Sequence, residues 1–115
     1  MADRLTDAEQ LCQKTLQVLE GHASLPSDAR EALRNGLQGL LPVLAESKRK
    51  VMVRSAQGQR LAQEIVDNAS KLYDVASRPR PEGKGVDEVL SRLDSVRDSV
   101  KKLEIYWQSF EYVTT

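Results

Sequence analysis

LPVLAESKRKVMVRSAQGQRLAQEIVDNASKLYDVA, residues 41–76, carries the strongest periodicity in the chain. Leu41, Leu44, Lys48, Val51, Ser55, Gly58, Ala62, Ile65, Ala69, Leu72 and Ala76 follow one another in alternating steps of three and four. That spacing is a heptad seam, the signature of helices packed at a shallow crossing angle. The spacing predicts one helix over 43–77, roughly 50 Å long at about 1.5 Å per residue. The seam is well filled at its ends and small or polar in its middle, at Lys48, Ser55 and Gly58.

Downstream, Ser77-Arg-Pro-Arg-Pro-Glu-Gly-Lys-Gly85 holds two prolines and two glycines, which end a helix and turn the chain. The linker is placed at 78–85 and a last helix at 86–112. Its seam is Val86, Val89, Leu93, Val96, Val100, Leu103, Trp107 and Phe110, again in steps of three and four. Two helices joined by a turn pack antiparallel. Folding about the linker sets Leu93 opposite Ala69, Val100 opposite Ala62, Leu103 opposite Gly58, Trp107 opposite Ser55 and Phe110 opposite Val51. Large side chains thus oppose small ones, as a close-packed core requires. Ser55 and Gly58 are then read as room for the indole.

Upstream, Thr6-Asp-Ala-Glu9 has the form of a capping box for a helix over 5–20, with Leu5 as a hydrophobic staple and Gly21 as the stop. Ala8, Leu11, Cys12, Leu16 and Leu19 share its apolar face. A second helix over 28–41 presents Ala29, Leu33, Leu37, Leu40 and Leu41, with Ser24 or Ser27 as its cap. Antiparallel pairing of these two helices sets Leu16 near Leu33 and Cys12 near Gly36. Gly36, Gly39 and Pro42 weaken the second helix, so a break or kink is expected between Gly36 and Pro42. A straight passage there gives a thin rod with its apolar face exposed; a fold-back gives a bundle. The reading adopted is an all-α antiparallel bundle of four helices of unequal length. It is dominated by a long, coiled-coil-like hairpin and forms one domain over 1–115. Val113-Thr-Thr supplies no obvious cap, so the end is either natural or cut from a longer protein.

Composition bounds the function. Of 115 residues 40% are apolar and only five are aromatic, so the core is aliphatic. Acids and bases cancel, which argues against a nucleic-acid binder. The cancellation hides a segregation. Residues 32–62 carry six bases and one acid, between two acid-rich flanks. A lone cysteine, Cys12, cannot build a disulfide framework and suits a reducing compartment, so a cytoplasmic location is expected. No signal peptide or apolar run long enough to span a bilayer is evident.

Catalytic chemistry has little to work with. His22, the sole histidine, falls in a loop, and Cys12 falls on an apolar helix face with no base to activate it. No catalytic residue, metal site, cofactor or small-molecule substrate is therefore expected. Two features remain. The run Lys48-Arg49-Lys50 with Arg54 is either a solvated helix face or a contact for an anionic partner or lipid. Tyr106, Trp107, Phe110 and Tyr112 lie within seven residues, and one helix face cannot hold all four. Trp107 reads first as a core anchor, and the others as candidates for partner binding. The expectation is a non-enzymatic protein–protein interaction or scaffold domain, self-associating or binding another protein. The alternative is a bundle that binds or permeabilises membranes through its basic belt and amphipathic helices.

Overall fold

The computed structural model describes residues 4–21, 25–78 and 84–114. The described residues form four α-helices and one short 3-10 turn: α1 (Arg4–Gly21), α2 (Ser27–Lys48), η1 (Val51–Arg54), α3 (Ala56–Ala76) and α4 (Lys84–Thr114). The fold is an all-α bundle. α1 packs on α2 and α3, and α4 packs on the same two, so α1–α4 and α2–α3 face each other across the diagonals. The molecule measures 49 × 28 × 19 Å, its long axis set by α4.

Contacts fix the directions. Arg4 of α1 hydrogen-bonds Gln59 and Gln63 at the start of α3, and Glu9 of α1 ion-pairs with Lys48 at the end of α2. The start of α1, the end of α2, the start of α3 and the end of α4 therefore share one end of the bundle, beside η1. Two antiparallel hairpins lie side by side, so that α1 runs parallel to α3, and α2 parallel to α4.

The two C-terminal seams are as the periodicity predicts. Ala62, Ile65, Ala69, Leu72 and Ala76 are buried on α3, and Val89, Leu93, Val96, Val100, Leu103 and Trp107 on α4. Their register is held by Asn68 donating to the Ser95 carbonyl at 3.5 Å, the Lys102–Glu64 pair at 3.1 Å and the Arg78–Glu88 pair at 3.7 Å.

The break in the chain falls elsewhere than expected. α2 passes through Pro42 and ends at Lys48, whereas the 43–77 stretch is interrupted at 49–55. Pro42 is exposed, so the Gln38 carbonyl deprived of its helix partner can be hydrated. Leu33, Leu37, Leu40 and Leu44 form one buried stripe that carries the helix past the glycines. Gly36 serves close approach: a Cβ there would meet Leu93 Cδ2 of α4 at 2.9 Å. It is thus covered by α4, where the sequence set it near Cys12. The Glu9–Lys48 pair likewise slides the α1/α2 hairpin away from the expected register. α4, with 31 residues, is the long helix; α3 has 21.

Helix starts differ too. α1 begins at Arg4, so Thr6 and Glu9 lie within it and do not form an entry cap. Pro26 occupies the cap position of α2 with no side-chain cap bond, and Ser27 is the first helical residue. Ser24 and His22 lie outside the described residues.

Candidate functional site

The chain reverses at 49–55 through a densely bonded turn. Arg49 N–H donates to Glu46 O at 3.0 Å and Lys50 N–H to Ser47 O at 3.1 Å, which tightens the last turn of α2. Lys48 in that turn also suits the negative end of the helix. Val53 N–H then donates to Lys50 O, and Ser55 N–H to Met52 O, both at 3.2 Å. Ser55 caps α3: its Oγ accepts from Gly58 N–H at 3.1 Å and donates to Met52 O at 2.7 Å. Gln59 Nε2 donates to Val53 O at 2.8 Å.

Gly58 is where the turn closes on the helix. A Cβ there would lie 2.4 Å from the Val53 carbonyl oxygen and 2.6 Å from that of Met52. The small middle of the seam therefore accommodates the backbone of η1, and the reading of Ser55 and Gly58 as room for the indole is overturned.

The aromatic end of α4 packs beside this turn. Trp107 is 3% exposed, and its Nε1–H donates to Ser47 Oγ of α2 at 2.9 Å. Ser47 is fully buried and donates in turn to the Val43 carbonyl at 2.8 Å. The indole thus leans on α2, one helix away from its predicted partner. It is Tyr106 that reaches Ser55: with the Ser55 proton given to Met52 O, the Tyr106 hydroxyl donates to Ser55 Oγ at 2.8 Å. Phe110 meets the Tyr106 ring edge-on at 5.1 Å. The side chain of Tyr112 lies outside the described residues.

The basic run divides in two. Lys48 is half-buried and paired with Glu9. Lys50 sits with its Nζ 4.6 Å from the centre of the Trp107 ring, a cation–π contact, and 3.9 Å from Glu46. Arg49 and Arg54 are exposed. Between them stands Val51, 77% exposed, one of two large hydrophobic side chains left outside among the described residues. The structure thus brings the basic run and the aromatic cluster to one end of the bundle. It commits Lys48, Lys50 and Trp107 to internal contacts and leaves Arg49, Val51 and Arg54 facing outward. Val51 was missed as a surface residue because the uninterrupted seam placed it inside. The Ser55-Ala-Gln-Gly58 cap was the signal that could have exposed the break.

The one thiol is held inert. Burial, and secondarily the Glu9 carboxylate, pushes Cys12 from 9.0 up to about 12. No cluster of candidate metal ligands exists among the described residues, and none of the described helices is long and apolar enough to cross a membrane. Comparison with protein families, with curated proteins and with solved structures finds no match to this chain.

Proposed function

We propose that this chain is a non-enzymatic helical interaction domain that holds an acidic partner protein through the η1 end of the bundle. The observation that carries the reading is Val51, an aliphatic side chain 77% exposed on a turn fixed by hydrogen bonds, between exposed Arg49 and Arg54. A preorganised apolar protrusion with a cationic rim suits a pocket bordered by carboxylates, since little ordering entropy is lost on docking. The high pKa of Cys12 supports a role without nucleophilic chemistry, and a reducing compartment such as the cytosol suits its free thiol.

The same protrusion favours a second reading, docking on an anionic membrane. An apolar tip among arginines is also how a peripheral contact combines insertion with attraction to lipid headgroups.

A photo-crosslinking residue at position 51, with a second at exposed Asp67 of α3 as control, tests the first reading in living cells. Protein adducts specific to position 51, and lost on Arg49→Glu with Arg54→Glu, are expected. Equal adducts at both positions, or adducts indifferent to the reversal, contradict it. Co-sedimentation with phosphatidylserine vesicles, lost on the same reversal, selects the membrane reading instead.

A further inference from the structure

α2 and α4 run parallel, and an open groove lies between them. One section, of about 330 Å³, is bordered by Leu40 and Val43 of α2 and by Asp94, Arg97, Asp98 and Lys101 of α4. A neighbouring section of about 390 Å³ shares Leu40 and Arg97 and reaches Gly39, which has open space where a side chain would stand. Asp94, Arg97, Asp98 and Lys101 are all exposed, and none forms an ion pair with another described residue. The four charges sum to zero along the face, and their side chains are left to face solvent.

The order of those charges is informative. Along one stripe of α4 these four read acid, base, acid, base, with the half-buried Glu104 at the edge of the groove beyond them. Positions 94, 97, 98, 101 and 105 share a side of a helix, as residues three and four apart do. Laid antiparallel against itself, about a two-fold axis between 97 and 98, this stripe is self-complementary. Asp94 faces the partner's Lys101, and Arg97 faces the partner's Asp98; symmetry repeats both pairs. The same operation sets Ile105, 56% exposed, against the partner's Leu90, which is partly buried beside the core. A parallel arrangement in register would instead oppose like charges, so the pattern selects one orientation and rejects the other.

We infer that the α2/α4 face docks a second copy of this chain, antiparallel along α4. The inference goes beyond the reading of the η1 end and does not depend on it, because the two surfaces share no residue. One helix face with the rim of its groove is modest beside the roughly 800 Å² per partner of a standard interface. The dimer is therefore a weak one, in the micromolar range, and sensitive to salt because its pairs lie at the surface.

Sedimentation velocity of the full chain from about 10 to about 500 μM tests it. The wild type is expected to dimerise at low salt and to dissociate in about 1 M salt. Asp94→Lys with Asp98→Lys makes these four positions all basic, and Arg97→Glu with Lys101→Glu makes them all acidic. Each variant alone is expected to associate at least about tenfold more weakly than the wild type, and an equimolar mixture to recover the dimer. All four positions are exposed, so the variants should melt like the wild type, and Ile105→Asp gives an independent disruption. A wild type that stays monomeric throughout, or a dimer that tolerates both reversals and Ile105→Asp, overturns the inference. So does a mixture that fails to recover association. Neither result touches the prediction for crosslinks at position 51.

Discussion

Trp107 is held by three things at once: burial of its rings, a hydrogen bond to Ser47 and the ammonium of Lys50. Trp107→Ala should cost about 3–5 kcal/mol in urea unfolding, the usual range for emptying a large aromatic site. Ser47→Ala should cost about 1–3 kcal/mol, because it removes the acceptor of a buried N–H. Equal stability of Ser47→Ala and wild type would show that the indole nitrogen finds water there. Cys12 makes a statement about pH. Below pH 9 the thiol is protonated in both folded and unfolded chains. Between 9 and about 12 only the unfolded chain ionises, so stability falls across that window and levels above it. From pH 8 to pH 11 the wild type should lose about 2–3 kcal/mol more than Cys12→Ala, measured by urea unfolding at both pH values. Parallel losses in the two proteins would contradict the buried, protonated thiol. The burial of Cys12 and Trp107 was readable in the seams. The partner of Trp107 was not, because periodicity gives a face and a direction, while two neighbouring helices compete for the same indole.

At the scale of elements, the heptad pattern held along the middles of α3 and α4. From Ala62 to Ala76 on α3 and from Val89 to Trp107 on α4 every residue it names is buried, while Val86 and Phe110 at the ends of α4 are only partly so. It failed across 49–55, where a seam position describes spacing and says nothing about backbone continuity. Val51 and Val53 sit two apart, yet Val53 is 4% exposed and Val51 is 77% exposed, because a 3-10 turn sets residues two apart about 120° from one another. Pro42 was weighed as a breaker by its chemistry alone, whereas its exposed position let α2 continue. Three glycines separate the two situations. Gly58→Ala should destabilise by roughly 1–3 kcal/mol or more, since the new methyl meets backbone carbonyls that cannot move without opening η1. Gly39→Ala should stabilise by about 0.5–1 kcal/mol, as it adds a good helix former over open space. Thermal melts of both variants check this contrast. A tolerated Gly58→Ala would mean that η1 does not close on α3. Gly36 stands between the two, since its neighbour is the flexible end of Leu93.

At the scale of the molecule, the reversal at 49–55 is what converts two features distant in sequence into one surface. The basic run ends α2, the aromatic cluster ends α4, and η1 closes the space between them. The sequence anticipated that neighbourhood through the α3/α4 register. It did not separate the bases facing inward from those facing outward, because Glu9 and Trp107, which claim Lys48 and Lys50, come from other helices. The chain folds back at η1, and the bundle and its η1 surface both depend on that reversal. Spin labels at Asp28→Cys and Asp74→Cys, in a Cys12→Ala background, measure that directly by electron–electron double resonance. Both positions are exposed, one near the start of α2 and the other near the end of α3. The bundle places them at the same end, within a cross-section of 28 × 19 Å, so a distance of about 20–30 Å is predicted. A helix continuous from α2 into α3 would separate them by roughly 70 Å, and that distance would contradict the account.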